Sequence, residues 1–169
     1  MKKTTSEIVT SPFTVVIDTR EQTPYMFADL RCDQREGGGP LSVLIARAGL
    51  DTGDYSVVGY EKIVAIERKS LADLFHTLGQ DRERFERELE RLSSYETARV
   101  LVEAEWSEIL NSPPQHSQLL PKTVWRSVIA WQERYPRIHW LMVPGRAFGE
   151  MAVYRILERA WKERERKRR

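Results

Sequence analysis

Cysteine occurs once in the 169 residues, at Cys32. A lone thiol closes no intrachain disulfide and builds no thiolate zinc cluster, and no Cys–His pairing suggests thiol catalysis. Histidine is scarce too: His76, His116 and His139 fall in unrelated segments, which argues against a histidine metal centre. No apolar run approaches the roughly 18 residues of a membrane span, and the opening MKKTTSEIVT has no apolar centre of a signal peptide. Internal repeats are absent. These absences exclude a disulfide scaffold, a zinc finger and a membrane protein. They point to an intracellular chain without a membrane partner, cytoplasmic or nucleoid-associated.

A hydrophobic fraction of 41% and a charged fraction of 31% describe an ordinary globular chain, long enough for one buried core. Net charge is only +2, but its distribution is uneven. The last eight residues, KERERKRR, set six basic side chains against Glu163 and Glu165. Such a tail either contacts a polyanion or forms a solvated helix end, where cations suit the dipole.

Along the chain, FTVVID at 13–18 reads as a buried strand, and TREQTP with Pro24 as the turn that ends it. RCDQREGGGP at 31–40 reads as a flexible connection. LSVLIARAGL has Leu41, Leu44, Ile45 and Ala48 at helical spacing and predicts a short helix. DTGDYSVVG and YEKIVAIERK are strand-like runs that meet near Gly59, as in an antiparallel hairpin. SLADLFHTL predicts a helix capped by Ser70, with Asp73 in its first turn. DRERFERELERL predicts a second helix, whose apolar face gathers Leu78, Phe85, Leu89 and Leu92. ARVLVEAE is a strand ending in acid at Glu103 and Glu105, WSEIL a brief helix, and KTVWRSVIAWQERY a helix. IHWLMVP is a strand, and GEMAVYRILERAWKERERKRR a final helix with Val153, Tyr154, Leu157, Ala160 and Trp161 buried. The order predicts an α/β sandwich, a mixed sheet with helices on both faces.

VAIERKSLADL is the segment whose charges need a reason. Side chains alternate along a strand, so Glu67 and Lys69 share one face and Arg68 takes the other. A hairpin brings Asp54 beside Glu67, and Asp18 can approach the same edge. Carboxylates of this kind suit a hard divalent cation, and an adjacent lysine suits the charge developing in phosphodiester hydrolysis. The bland alternative is a set of ion pairs, Asp54 or Glu67 with Lys69 and Asp73 with Arg68.

GDYSVVGYEKIVAIERKSLAD, with VVIDTRE upstream, resembles the signature of XPF-type structure-specific DNA endonucleases of the restriction-endonuclease-like superfamily. DRERFERELERL and LVEAE are similar to segments of small bacterial and phage members. The likeness spans roughly 13–165, which leaves an N-terminal extension over 1–12 and a basic tail over 166–169. It implies a restriction-endonuclease-like three-layer sandwich. Asp54 and Glu67 become metal ligands, Asp18 joins them at the metal and with Glu21 completes the acidic cluster through metal-bound waters or a second ion, and Lys69 is the catalytic lysine. Arg20 and Arg68 would contact phosphate or hold the carboxylates. Asp73 would brace Arg68 or Lys69, Glu103 would support the site, and the Arg68 carbonyl is a further ligand. Arg82 and Arg84 are candidate DNA contacts, although their helix interleaves them with Glu83, Glu86, Glu88 and Glu90 as ion pairs do. The implied cofactor is Mg²⁺, with Mn²⁺ substituting, and the implied partner is branched or nicked DNA. The tryptophans Trp125, Trp131 and Trp161 are expected in cores, or in a homodimer interface of the C-terminal helices. Many relatives also carry helix-hairpin-helix modules and a helicase segment, neither of which this sequence shows. The alternatives are a non-catalytic DNA-binding or dimerisation module paired with an active subunit, and a nuclease acting on RNA.

Overall fold

A computed structural model describes residues 7–33 and 38–169. The expected N-terminal extension and glycine-rich connection fall partly on 1–6 and 34–37, outside the described residues. Six strands form one mixed sheet: β1 (Val9–Asp18), β2 (Leu41–Ala48), β3 (Tyr55–Val57), β4 (Val64–Lys69), β5 (Thr97–Val102) and β6 (Ile138–Met142). Their spatial order is β2-β1-β3-β4-β5-β6. The β3 strand is antiparallel to both β1 and β4, whereas β1–β2, β4–β5 and β5–β6 are parallel. Five helices cover the sheet: α1 (Leu71–Gly79), α2 (Arg82–Leu92), α3 (Trp106–Asn111), α4 (Pro121–Arg134) and α5 (Arg146–Arg168).

Alternation along the strands divides the core in two. Val15, Ile17, Tyr55, Val64, Ile66 and Leu101 face α5, packing with Val153, Tyr154 and Leu157. Ala65, Ala98, Val100 and Val102 face the other way, against Leu74 of α1, Phe85 and Leu89 of α2, and Trp131 of α4. On α2 almost every other position is charged, so Phe85, Leu89 and Leu92 hold it to the sheet. Each such side chain contributes roughly 1.5–3 kcal/mol on burial.

The segment 41–48 departs from its helical spacing. It is the edge strand β2, paired in parallel with β1 from Val9–Leu41 to Asp18–Ala48. Most of its side chains are at least partly exposed and Leu44 is largely so, so the period-2 signal of a buried strand is weak. Backbone pairing with β1 decides the conformation. The β1 strand starts at Val9, so the expected boundary at 12/13 falls inside it. Leu78 belongs to α1, across a break at Gln80 and Asp81, yet it reaches the same core as Phe85. The expected tail at 166–169 has no break before it, because α5 runs on to Arg168.

Candidate active site

The GD pair is fixed by its backbone. Gly53 has φ +77°, and a Cβ there would lie 3.1 Å from the Ile66 carbonyl oxygen, so glycine alone fits without strain. The Asp54 N–H donates to the Ile66 carbonyl and the Asp54 carbonyl accepts from the Asp18 N–H, both at 2.8 Å. The Asp54 carboxylate accepts the Arg68 N–H at 2.7 Å. These bonds tie β1, the GD turn and β4 together, which is why Asp54 and Glu67 are neighbours although they are 13 positions apart in sequence.

On the face of β4 towards α2, Lys69 Nζ donates to Glu67 Oε1 at 3.0 Å and lies 4.2 Å from the centre of the Phe85 ring. Both side chains are only 9% exposed. Burial, and next the charge of Glu67, push Asp54 well above the usual carboxylate range. Burial alone would lower Lys69, but the charge and hydrogen bond of Glu67 outweigh it, so the ammonium is held above its ordinary value.

Glu88 joins this cluster from α2. Burial, then the charge of Glu67 and a hydrogen bond with it, push the Glu88 carboxyl up to about 8. In the sequence Glu88 reads as one of several helical ion-pair acids. Its spacing from Phe85 and Leu92, on the sheet-facing side of α2, is the signal that could have found it.

On the opposite face, Arg68 grips Glu103 with two bonds, Nε–Oε1 at 2.8 Å and Nη2–Oε2 at 3.0 Å. Glu21 lies 3.5 Å from Arg68, and the guanidinium sits 5.4 Å from the Tyr25 ring centre. The Tyr25 hydroxyl donates to Glu103 as well. Burial would lower Arg68, but Glu103 and Glu21 more than reverse this. Arg68 therefore holds carboxylates, one of its two expected roles.

Asp18 donates its backbone N–H to the Asp54 carbonyl, while both of its carboxylate oxygens are taken by Arg20 and Leu50. Its Oδ1 accepts the Arg20 N–H at 2.7 Å and Nε at 2.8 Å, and its Oδ2 accepts Arg20 Nη2 at 3.0 Å and the Leu50 N–H at 2.7 Å. Burial acts to raise Asp18, but the Arg20 and Leu50 bonds win and hold it below the usual range. Asp73 does not brace Arg68 or Lys69. It completes a capping box with Ser70, accepting the Ser70 hydroxyl at 2.6 Å, because it sits at the third position of α1. Arg82 packs on α4, donating to the Ser127 hydroxyl at 2.8 Å and lying 5.0 Å from the Trp131 ring centre. Arg84 is 76% exposed and Arg20 69%. Trp131 is in the core and Trp161 stacks on Phe13, whereas Trp125 is 44% exposed on α4. The separate segments of His76 and His116 meet at a cavity of about 640 Å³ between α1 and the 112–120 loop. That cavity lies beside α1, and Glu67 is not among its lining residues.

Among the described residues, no group of three or more His, Cys, Asp or Glu could hold a metal ion by itself. The donor set nevertheless fits Mg²⁺, which takes one or two carboxylates and completes its shell with water and phosphate oxygen. Asp54 and Glu67 supply two carboxylates, whose mutual repulsion a cation would relieve. No helix is long and apolar enough to cross a membrane among the described residues.

The ERCC4 domain matches residues 17–148. Two solved structures, XPF from Aeropyrum pernix alone and the same protein in complex with DNA, superpose with a TM-score of 0.60 each. They are 21% and 19% identical over 87% and 89% of this chain. The chain spans 61% and 66% of those structures. No curated protein matches by sequence. The fold is thus that of the restriction-endonuclease-like XPF nuclease domain, as the resemblance implied, and the mixed sheet with helices is the α/β sandwich that the element order predicted.

Proposed function

The chain belongs to the ERCC4 domain family, a family of DNA nucleases, and from that membership we propose a divalent-metal-dependent endonuclease. It hydrolyses phosphodiester bonds in DNA, at branched, flap or fork structures. The observation that carries this reading is the buried Glu67–Lys69 pair at 3.0 Å with Asp54 beside it. Two carboxylates and an ammonium gathered where burial penalises each of them are a costly arrangement for stability alone. The A. pernix protein's complex with DNA supports DNA as the polymer.

Asp54 and Glu67 would hold the ion, Mg²⁺ or Mn²⁺, which would supply positive charge to the scissile phosphate and to the attacking water. Lys69 keeps its proton, so it serves as a fixed positive charge that orients Glu67 and meets the negative charge gathering on phosphate. Glu88, its carboxyl pushed up to about 8 by burial and the charge of Glu67, stands beside Glu67 as a further acid of the cluster. Asp18 with Arg20, and Arg68 with Glu103 and Glu21, stiffen the two loops that frame the edge. Arg84 and Arg20, the more exposed of the predicted DNA-contacting arginines, are assigned to backbone phosphates.

The test uses end-labelled duplex, flap, fork and single-stranded substrates, in DNA and RNA, with Mg²⁺ or Mn²⁺ and with chelator. Cleavage is expected on the branched DNA with metal only. Asp54→Ala and Lys69→Ala are expected to lose about 100-fold or more in rate, the scale of a removed charge-stabilising group, while still binding the fork. If Lys69→Ala cuts as fast as the natural protein, the site is misassigned. Specific fork binding with no cleavage under any metal supports the non-catalytic alternative.

A further inference from the structure

The sheet face that carries α5 holds a second charged region, on the opposite face from the Glu67–Lys69 pair. A groove of about 530 Å³ opens between the start of β5 and the C-terminal half of α5. Five cations line it, namely Arg99, Arg155, Arg159, Arg164 and Lys167, against two carboxylates, Glu96 and Glu163. The excess is three positive charges.

Ion pairs around the rim leave that excess in place. Arg155 binds Asp33 at 2.8 Å and Glu158 at 2.9 Å. Arg164 pairs with Glu96, while Arg166 engages Glu163 at 2.7 Å from outside the groove. Arg99, Arg159 and Lys167 have no carboxylate at ion-pair distance among the described residues. Arg99 is the informative one. It lies half-buried on β5, and its Nη1 donates to the Ala98 carbonyl at 2.8 Å. Burial holds its guanidinium below the ordinary arginine value, and no acid offsets that effect. A part-desolvated guanidinium without a counterion costs free energy, and an arriving anion removes the cost.

The spacing selects a long anion over a small one. Arg159 and Lys167 are eight positions apart on α5, or about 12 Å at 1.5 Å per residue. That span covers three to four phosphates of one DNA strand at about 3.4 Å each. It exceeds the reach of a single phosphate or diphosphate. Arg99 lies with Leu101 on the α5 face of β5, whereas Glu67 and Lys69 lie on the other face of the sheet, towards Phe85 of α2. An anion in this groove therefore does not compete with the scissile phosphate.

We propose that this groove binds the phosphates of a second stretch of nucleic-acid backbone, separate from the stretch being cut. The proposal rests on the reading that DNA is the substrate, and a branched DNA offers such a second arm. Its prediction concerns salt. Each phosphate contact adds about 0.9 to the slope of log affinity against log salt concentration.

The experiment is fluorescence anisotropy of a labelled fork in chelator, from about 50 to about 200 mM salt. It compares the natural protein with Arg99→Gln and with the double variant Arg159→Gln/Lys167→Gln. The double variant changes exposed side chains, so its fold is secure even if Arg99→Gln disturbs β5. The slope is expected to fall by about 2 in the double variant and about 1 in Arg99→Gln. Fork affinity is expected to weaken about 10-fold or more at the higher salt, with the cleavage rate at saturating DNA unchanged. An unchanged slope in the double variant, with the natural protein binding the fork, overturns the groove proposal and leaves the nuclease reading standing. Failure of the natural protein to bind DNA defeats both. Pyrophosphate is the third arm. If it raises the melting temperature of the natural protein but not of Arg99→Gln, while the DNA slopes agree, the groove takes a small phosphate and the nucleic-acid assignment falls.

Discussion

Replacing Glu103 with alanine tests whether the Arg68 clamp is a buried ion pair or an incidental one. Both side chains are 8% exposed, and the guanidinium meets the carboxylate through two bonds at 2.8 and 3.0 Å. The substitution strips Arg68 of its principal counterion, leaving Glu21 at 3.5 Å and the Thr23 hydroxyl at 3.3 Å. It also leaves the Tyr25 hydroxyl without its acceptor. Breaking a buried pair from one side costs about 3–5 kcal/mol, whereas an exposed pair is worth about 1 kcal/mol or less. With a urea slope of about 2 kcal/mol per molar, the midpoint is expected to fall by about 1.5–2.5 M. Equilibrium unfolding followed by far-ultraviolet circular dichroism reads this directly. The partner variant Arg68→Met/Glu103→Leu removes both charges and keeps apolar volume. It is expected to regain part of the loss, because the guanidinium is no longer stranded, although Glu21 loses Arg68 and the Tyr25 hydroxyl still lacks its acceptor. A midpoint shift below about 0.5 M for Glu103→Ala, or a double variant as unstable as the single, refutes the reasoning.

Three further outcomes follow from the same packing. Gly149→Ala would set a Cβ against the Tyr25 hydroxyl oxygen, well inside contact distance, so a loss of about 1–3 kcal/mol is expected in urea unfolding. Asp73→Ala opens the capping box of α1 and is expected to cost about 1 kcal/mol, read as a lowered melting temperature. Burial would raise Glu158, but Lys162 and Arg155, each at 2.9 Å, outweigh it and hold the carboxyl below its usual 4.5. That contribution is full above pH 4.5 and is lost as pH falls through the lower folded value. Glu158→Gln is therefore expected to flatten the acid side of a melting-temperature profile below that pH. An unaltered profile would show that the pair contributes nothing.

Much of the site was legible in the sequence because its main parts are local. Alternation on one strand settles that Glu67 and Lys69 share a face and that Arg68 turns away, whatever the surroundings. The hairpin around Gly59 follows from two strand-like runs and their turn, and it delivers Asp54 to β4. Ser70 ahead of an apolar helical run, with Asp73 three residues on, signals a cap, and the capping box is what Asp73 forms. The less local roles were not legible. Asp18 can approach the acidic edge on strand geometry alone, but the Leu50 amide and Arg20 claim both of its oxygens, and Leu50 is 32 positions away.

What the sequence by itself determined is the periodic and short-range part: the buried strands, the five helices, and the Glu67–Arg68–Lys69 facing. What only the tertiary structure decided is which distant elements meet. Residues 41–48 carry a helical spacing and become a strand because β1 offers them a parallel edge. Glu88 looks like a solvated helical acid, yet α2 lies across β4 and presses it against Glu67, where burial and repulsion keep its proton on. Arg99 looks like an ordinary strand charge until α5 covers its neighbours and partly removes it from water. The reason is common to all three. Backbone periodicity acts within a few residues, while desolvation and Coulomb interaction depend on distances in space that the linear order does not contain.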